Sequence, residues 1–344
     1  MTVFAETHQA LRSLLKQPGF LLTAILTLAL GVGAVSAVYS VVHGVLLKPL
    51  PYPEPEQIVD VRRVQGQYGG PVSRPLYLDW QAGGAEHFTA LAAWTGRIGT
   101  LTAESGAERV QMLQVTPSFF PLMGLAPAAG RWFDEAEEAR GERVTVLSHA
   151  LWQARYAGDP GIVGRTLTID GRPHVVVGVA PPALKLPEAA ELYVPTFLPT
   201  AGTDRGTNYL RVLGRLAPGV TEAAALARLQ ALNAGLAAQY PDDHADLGVR
   251  LVPLATMAQG GLAGALWNLF AAALLVLLIA CANLANLMLA RAGQREAELA
   301  VRAALGASRL RLAGVTLIEA GLIGLIGGAG GVLLAALGVP LLLA

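Results

Sequence analysis

Charge is scarce in this sequence. Only 15% of its 344 residues are charged, against about 25% in an average soluble domain, whereas 53% are hydrophobic. Such a chain is too apolar to be disordered and too poor in charge for an ordinary soluble enzyme. Its 25 basic residues are balanced by 25 acidic ones. The basic excess of a nucleic-acid-binding protein is therefore missing, and we predict no nucleic acid partner.

Lysine and cysteine are also rare, and each absence excludes a class of function. The three lysines (Lys16, Lys48 and Lys185) all follow leucine, whereas a P-loop requires glycine before its lysine. The chain is therefore not a P-loop ATPase by itself. The single cysteine, Cys281, excludes an internal disulfide and any zinc cluster built from cysteines. We expect no cofactor, no metal and no catalytic residue in this chain.

Three long segments contain no charged residue at all, namely residues 17–47, 251–290 and 320–344. Each is long enough for a membrane-spanning helix, which needs about 20 apolar residues. We predict transmembrane helices at about 20–46, 264–290 and 313–343. The first segment could instead be a cleaved signal peptide, but its apolar run is longer than the 7–15 residues typical of one.

Charge asymmetry predicts the orientation of these helices. Five arginines and two glutamates occupy residues 291–311, and residues 1–19 contain Arg12 and Lys16 against Glu6. Short loops rich in Lys and Arg stay in the cytoplasm. Residues 48–261, with 18 basic and 21 acidic residues, are then outside. The N-terminus would be cytoplasmic and the large segment extracytoplasmic.

The large segment has the pattern of an α+β domain with two subdomains. Short β-branched runs predict strands, and Asp170-Gly171 predicts a tight hairpin turn. The predicted strands cover residues 58–64, 110–115, 144–148, 166–169, 175–179, 210–216 and 249–253. The predicted helices cover residues 76–93, 118–124, 149–156 and 221–239. The fold class is therefore a membrane protein with three transmembrane α-helices and a large α+β extracytoplasmic domain between helices 1 and 2.

Candidate chemistry in this domain is weak. Four histidines (His87, His149, His174 and His244) lack metal-ligand spacing, and Ser148-His149 is a sequence neighbour pair without a catalytic motif. The polar group Asp242, Asp243, His244 and Asp246 could bind a cation, but a solvated loop explains it better. The acidic run at residues 134–138 is interpreted as an exposed turn or a helix start. We interpret the segment as a binding or mechanical domain.

Two cytoplasmic segments have a defined pattern. In residues 4–16, Phe4, Leu11, Leu14 and Leu15 share one helical face, which is typical of an interfacial helix that ends before Pro18. A ragged extension of helix 1 is the alternative. The connector predicts a short charged helix at 295–305 that could dock a cytoplasmic partner, or a plain basic loop.

Polar and small residues within the predicted helices favour contacts between helices. Asn283 and Asn286 share a face of helix 2 and would be costly in lipid. Helix 3 contains Glu319 near its cytoplasmic end, where pairing with a connector arginine or proton handling are both open. It also contains two small-residue motifs that allow close helix approach, Gly324-xxx-Gly328 and Gly327-xxx-Gly331.

Several stretches resemble permeases of the MacB/FtsX-like ABC family, and the duplicated ADOP type in particular. The N-terminal stretches are Leu11-Arg-Ser-Leu-Leu-Lys-Gln-Pro-Gly-Phe, Leu28-Ala-Leu-Gly-Val-Gly-Ala and Leu47-Lys-Pro-Leu-Pro-Tyr. The C-terminal ones are Ile279-Ala-Cys-Ala-Asn-Leu-Ala-Asn-Leu-Met-Leu-Ala-Arg and Glu296-Ala-Glu-Leu-Ala-Val-Arg-Ala-Ala-Leu-Gly-Ala-Ser-Arg. Residues 48–261 resemble that family's periplasmic core domain.

The resemblance implies a permease that passes conformational change from a separate cytoplasmic P-loop ATPase to a periplasmic domain. Arg295, Glu296, Glu298 and Arg302 would lie on the coupling helix that meets this ATPase. It also implies a bacterial inner membrane, lipid contact, and either a homodimer or a second permease half. A family unit has four membrane helices, so we expect the fourth to be absent here.

The implied domain order is an interfacial helix (1–19), helix 1 (20–47), the periplasmic core domain (48–261), helix 2 (262–290), the connector (291–311) and helix 3 (312–344). Two other functions remain open from the residues alone. A membrane-anchored binding or sensor module would need the helices only as anchors. A signal-anchored hydrolase would need a nucleophile and base, for which no motif is present.

Overall fold

The computed structural model describes residues 8, 11–12, 14–65, 68–103, 106–187, 189–196, 204–244, 247–294 and 309–343. The chain forms two compact units. One contains residues Met1–Lys48 and Gly261–Ala344, and the other contains Pro49–Gly260. The division of the second unit into two subdomains stays a prediction.

The helices and strands are labelled in chain order. The α-helices are α1 (Pro18–Val42), α2 (Arg74–Gly83), α3 (Phe119–Met123), α4 (Glu135–Ala139), α5 (His149–Tyr156), α6 (Glu222–Gln239), α7 (Pro241–His244), α8 (Leu254–Ala258), α9 (Ala263–Gln294) and α10 (Arg309–Leu343). The strands are β1 (Ile58–Gln65), β2 (Tyr68–Gly70), β3 (Val72–Ser73), β4 (Phe88–Ala103), β5 (Gly106–Val115), β6 (Ala129–Gly130), β7 (Val144–Leu147), β8 (Thr166–Ile169), β9 (Arg172–Val179), β10 (Leu192–Pro195), β11 (Asn208–Leu216) and β12 (Leu247–Pro253).

Among the described residues, three helices are long and apolar enough to cross a membrane, as predicted. The candidate spans are Pro18–Leu47, Ala263–Gly293 and Thr316–Gly338. The first consists of α1 and a π-helical turn, His43–Leu47, that continues it. Pro18 occupies the first turn of α1, where its missing N–H leaves no hydrogen bond unmade. The helix therefore begins where the sequence pattern places the break.

The strands of the extracytoplasmic unit belong to one mixed sheet. Its order is β12-β1-β11-β4-β5-β10-β7-β9-β6, and β8 pairs with both β4 and β9. The predicted hairpin is present, because Ile169 on β8 pairs with Arg172 on β9 across Asp170 and Gly171. Both turn residues have positive φ, 50° and 72°, as a two-residue turn of this type requires.

The extracytoplasmic core divides into three apolar clusters. One lies under α2 and α6 and includes Trp80 and Leu229. A second contains the aromatic group of α3 with Tyr193 of β10. A third is contributed mainly by strands β4, β5, β7, β8, β9 and β10. Successive residues such as Tyr193 and Val194 enter different clusters, because neighbouring side chains of a strand point to opposite faces.

The predicted helix over residues 76–93 is wrong in its second half. The helix α2 ends at Gly83, and residues 88–103 form the longest strand, β4. The alanine-rich run Ala90–Ala93 favours helix locally, but β4 pairs along its length with β11 and β5. The tertiary pairing therefore overrides the local preference. The short strands β2, β3, β6 and β10 were not predicted either.

The helix α6 is joined to α2 by a buried hydrogen bond. Trp80 Nε1 donates to Asn233 Oδ1 at 2.8 Å, and Asn233 Nδ2 donates to the Leu247 carbonyl at 3.3 Å. Trp80 and Asn233 are both buried. A buried indole N–H without an acceptor is costly, so this contact fixes the position of α6 against the sheet.

Asn233→Leu should lower the free energy of unfolding by about 1–3 kcal/mol, since it leaves the Trp80 N–H buried without an acceptor. The measurement is urea unfolding of the detergent-solubilised chain followed by tryptophan fluorescence. Gln230→Ala, at an exposed position of the same helix, is the matched control and should change stability by less than about 0.5 kcal/mol. Equal effects from both substitutions would contradict this assignment.

Candidate functional site

A buried ion pair connects the two C-terminal membrane helices. Arg291, in the last turn of α9, places Nη1 3.3 Å from Oε2 of Glu319 on α10, and both side chains are only 4% exposed. The guanidinium of Arg291 also lies 4.8 Å from the ring centre of Phe20 at the start of α1. One arginine thus contacts both other helices of the membrane unit.

Apolar side chains surround this pair at the same end of the helices. Leu14, Ala24 and Ile323 form a small buried cluster. The partly buried residues packed against it are Phe20, Leu21, Ile25, Leu284, Met288 and Leu322. Because water is excluded here, the two charges depend on each other and on the ring of Phe20. The pair therefore fixes the relative positions of α1, α9 and α10.

The predicted interfacial helix is described only in part. Leu14 is buried in the cluster, whereas Leu11 and Leu15 are 42% and 61% exposed. Phe4 lies outside the described residues. The segment before α1 therefore contributes one residue to the bundle, and its other two described apolar side chains remain available to lipid.

Small residues bring α1 and α10 into close contact. A Cβ added at Gly331 would lie 2.7 Å from the Ala29 carbonyl oxygen and 2.9 Å from the Gly33 nitrogen. At Gly327 it would lie 2.9 Å from Cβ of Leu28. The motif Gly327-xxx-Gly331 therefore allows backbone approach that a larger residue would prevent.

The remaining predicted packing residues face away from these contacts. A Cβ at Gly324 or Gly328 would have no other atom within 4 Å. Asn283 and Asn286 are exposed on α9, and neither makes a side-chain hydrogen bond with the described part of the chain. Of the two motifs on α10, one is used within the chain and the other is open.

The predicted coupling residues lie outside the described residues. Arg295, Glu296, Glu298 and Arg302 fall in the segment 295–308, between Gln294 at the end of α9 and Arg309 at the start of α10. The structure fixes only what flanks them. Arg291 lies one helical turn before this segment, and Glu319 lies about three turns after it begins again as α10.

The polar residues of the large domain that the sequence marked as candidates have hydrogen-bond partners within the fold. Ser148 accepts a hydrogen bond from the Leu151 N–H at 3.1 Å and caps α5, so it is not paired with His149. Asp134 caps α4, and buried Glu137 accepts two hydrogen bonds from Arg131. The Arg131 guanidinium holds the pKa of Glu137 below its usual range.

The acidic group near His244 is not a metal site in the described part of the chain. His244 is buried and accepts a hydrogen bond from Arg205 Nη1 at 3.2 Å, while Arg205 pairs with Asp79 at 2.7 Å. Burial, with the nearby Arg205 charge, lowers the pKa of His244. The residue is therefore not part of a solvated loop. No metal-binding group of three His, Cys, Asp or Glu residues occurs among the described residues.

Two family models match this chain. The MacB-like periplasmic core domain matches residues 21–232, and the FtsX-like permease C-terminal domain matches residues 270–344. The chain belongs to the family of MacB/FtsX-like ABC transporter permeases. The first permease domain covers more than half of the sequence, and the second contains both Arg291 and Glu319.

Solved structures resemble this permease at low sequence identity. The periplasmic region of MacB from Actinobacillus actinomycetemcomitans is 16% identical, with 59% of this chain and 92% of that one covered and a TM-score of 0.45. A domain of a putative permease protein from Porphyromonas gingivalis is 16% identical, with 59% of this chain and 91% of that one covered and a TM-score of 0.45. The extracellular domain of the noncanonic ABC-type transporter YknZ from Gram-positive bacteria is 14% identical, with 56% of this chain and 99% of that one covered and a TM-score of 0.43. Comparison with curated proteins finds no match.

The pairing of Glu319 with a connector arginine was one of the predicted alternatives, and the structure pairs it with Arg291, the first residue of that connector. Sequence reasoning did not select Arg291 itself as a site residue of the permease. The signal was nevertheless present, because Arg291 ends one charge-free segment and Glu319 precedes another. A base and an acid at the same end of two adjacent membrane helices are natural partners. Phe20 carried no comparable signal, since an aromatic residue at a membrane-helix end is common.

Gly331→Ala should lower the melting temperature of the detergent-solubilised permease, because its methyl group would overlap the α1 backbone and cost about 1–3 kcal/mol. Gly338→Ala is the matched control, since it adds the same methyl group to the same helix where nothing lies within 4 Å and outside the two Gly-xxx-Gly motifs. We expect that control to be neutral or slightly stabilising, as alanine favours helix. The interface assignment would fail if the two variants melted alike.

Removing either member of the ion pair should destabilise the membrane unit by about 3–5 kcal/mol, because the other charge loses its buried ion-pair partner. Thermal unfolding of Arg291→Met and Glu319→Leu, singly and together, measures this. The double variant should recover much of the loss, since no buried charge remains. Additive losses would show that the two side chains are not coupled.

Proposed function

We propose that this chain is the permease subunit of an ABC transporter that couples ATP hydrolysis in a separate cytoplasmic chain to motion of its periplasmic domain. The family supports the permease, and permeases of this family partner with ABC ATPases. The sequence contains no glycine-preceded lysine from which a P-loop could be built. ATP hydrolysis would therefore take place in the partner.

The single observation that carries the proposal is the buried contact of Arg291 with Glu319 and Phe20. It joins the three described membrane helices at the N-terminal end of the connector (291–311). A displacement of the connector would then move α9 and α10 together with the start of α1, because separating them would leave a charge unpaired in an apolar environment. In this way the three helices, held together by the ion pair, would transmit motion across the membrane.

Covalent continuity takes the motion to the extracytoplasmic unit. The helical segment that begins at Pro18 ends at Leu47, and only Lys48 separates it from the first residue of that unit, Pro49. The unit ends at Gly260, and α9 begins at Ala263. Short connections at both ends leave little slack, so helix motion would be transmitted to the domain as a whole. We assign an efflux or export type of process.

Arg295, Glu296, Glu298 and Arg302 are the residues that we assign to ATPase docking. Their mixed charges on a short connector suit a polar cytoplasmic interface, where complementary charges govern partner choice and association rate. The basic excess of the connector also supports a cytoplasmic position and hence a cytoplasmic N-terminus. The membrane would be a bacterial inner membrane, with the large domain in the periplasm.

The open face of the bundle supports contact with a second permease chain or permease half. Gly324 and Gly328 offer close approach, and Asn283 and Asn286 offer side-chain amides that are costly in lipid. A homodimer satisfies both features through one symmetric contact. Lipid covers whatever part of the face the partner leaves free.

Co-purification tests the proposal. A tagged permease isolated in mild detergent from its own host should bring a P-loop ATPase with it, and Arg302→Glu should reduce the recovered ATPase about fivefold or more, because charge reversal opposes docking. Arg12→Glu is the matched control, since it reverses an exposed basic charge on the same predicted side of the membrane. We expect this control to retain the ATPase.

The outcomes separate the proposed function from its alternative. Recovery of an ATPase that Arg302→Glu loses and Arg12→Glu keeps supports the coupled permease. Equal loss in both variants would move docking away from the connector. Absence of any ATPase from the unsubstituted protein would favour a membrane-anchored binding or sensor module, in which the helices act as anchors only.

A further inference from the structure

Six strands of the extracytoplasmic unit close into a ring. The strands β4, β5, β10, β7 and β9 are consecutive neighbours, and β8 pairs with both ends of this series. Leu101 pairs with Ile169 to join β4 to β8, and Ile169 pairs with Arg172 to join β8 to β9. A sheet whose last strand pairs back to the first through a shared neighbour is a small barrel.

The interior of this barrel is apolar. All six strands contribute side chains to one buried cluster, as alternation along a barrel strand requires. The cluster's buried strand residues are Leu101, Val110, Met112, Leu147, Ile169, Val176, Val179, Leu192 and Val194. Helix α5 adds Leu151. The barrel is therefore filled by side chains rather than hollow.

A cleft of about 380 Å³ opens where this filling ends. Its apolar lining consists of Met112, Ile169 and Val194, all buried members of the barrel interior. Its polar lining consists of Arg97, Gln114, Arg143, Asp170, Arg172 and His174. A volume near this value is at the small end of the range of ligand pockets, and barrel mouths are common positions for them.

The charge in the cleft is predominantly positive. Asp170 is the only acid among its lining residues, and it is already engaged, because it pairs with Arg97 and accepts a hydrogen bond from the Thr100 N–H at 2.8 Å. Arg143 and Arg172 form no salt bridge with any described residue. Two guanidinium groups therefore line one cavity without a carboxylate partner.

His174 adds a third group that can respond to an anion. The residue is 8% exposed, and its Nδ1 lies 3.0 Å from the Arg172 carbonyl, which can only accept, so Nδ1 carries the proton. Its Nε2 makes no hydrogen bond in the described part of the chain. Burial lowers the pKa of His174, and the charges of Arg143, Arg172 and Arg97 lower it further.

We propose that the mouth of this barrel binds the oxyanion group, phosphate or carboxylate, of a small ligand. Arg143 and Arg172 supply charge-assisted hydrogen bonds of the planar, two-pronged kind that such groups accept. Met112, Ile169 and Val194 contact a short apolar part of the ligand. Protonated His174 donates to the same oxyanion, so binding strengthens as the pH falls.

The proposal does not depend on ATPase coupling. A binding domain in an anchored module would use the same cleft. Disproof of ATPase coupling would therefore leave the anion site unaffected, and disproof of the anion site would leave ATPase coupling unaffected. The two tests use different variants in different units of the chain. Co-purification of an ATPase with the Arg302 variant tests the coupling. Anion binding by the Arg143 and Arg172 variants tests the cleft.

Isothermal titration calorimetry on the detergent-solubilised full chain tests the site with butyl phosphate, inorganic phosphate and butyrate as anions and butanol as the neutral probe. We expect saturable binding of at least one anion and none of butanol. Arg143→Gln and Arg172→Gln should each weaken binding about tenfold or more, since each removes charge-assisted hydrogen bonds. Both positions are exposed, so the variants should remain folded.

Arg109→Gln is the matched control, because Arg109 is an exposed arginine of the barrel strand β5 and does not line the cleft. It should leave the affinity unchanged. Because the pKa of His174 is lowered from 6.5, the affinity for butyrate, which stays ionised in this range, should rise as the pH falls below about 6.5 in the unsubstituted protein, and His174→Gln should lose this rise. Competition by phosphatidylglycerol nanodiscs would identify a lipid headgroup as the source of the anion, and no competition would identify a soluble ligand.

Two results would overturn the proposal. One is the absence of saturable binding by all three anions under conditions where the protein is folded by its melting curve. The other is binding that Arg109→Gln weakens as much as Arg143→Gln and Arg172→Gln do, because general attraction to a basic surface would then explain it.

Discussion

The membrane unit depends on one charge pair in an apolar place. Arg291 and Glu319 are 4% exposed, and neither could remain there alone without a penalty of several kcal/mol. Their mutual dependence makes α9 and α10 one mechanical element near the connector, and the contact of Arg291 with Phe20 adds α1. A hydrophobic contact at this position would hold the helices but would let them slide, since apolar packing has little directionality. The ion pair has a preferred geometry and therefore favours one relative position of the helices.

The glycines of α10 lie on two surfaces, one packed against α1 and one without contacts in the described part of the chain. Gly327 and Gly331 lie against the backbone of α1, and any added methyl group there would displace it. Gly324 and Gly328, about one turn away on the helix surface, contact nothing within 4 Å. One face of α10 thus holds the chain together while the other is available to a partner. Because sequence motifs of this kind look identical, only the structure distinguishes the two.

Most of the architecture is readable from sequence, for identifiable physical reasons. Charge-free segments locate the membrane helices because the bilayer excludes charge, and β-branched runs locate β1, β5, β8 and β11 because such side chains suit a pleated surface. The strand β4 was not predicted because its alanine-rich run Ala90–Ala93 favours helix locally, and only the pairing with β5 and β11 makes it a strand. Closure of the barrel was not predicted because it joins residues far apart in sequence, and for Glu319 the sequence indicated a connector arginine without selecting Arg291 among the five. The cleft residues were not predicted either, because Arg97, Arg143 and Arg172 belong to three segments that are far apart in sequence.

The barrel constrains how an anion in its mouth could be linked to events at the membrane. A bound ligand shifts a conformational equilibrium only as far as its affinity differs between the states. Arg143 precedes β7 and Arg172 begins β9, and these strands pair directly, with Val144 opposite Val175. The guanidinium-bearing backbone can therefore not separate without breaking strand hydrogen bonds in a closed ring. Affinity for the anion would change little when the domain moves as a rigid body. Linkage would then require the moving domain to cover or uncover the mouth, so that access rather than the geometry of the arginines distinguishes the states.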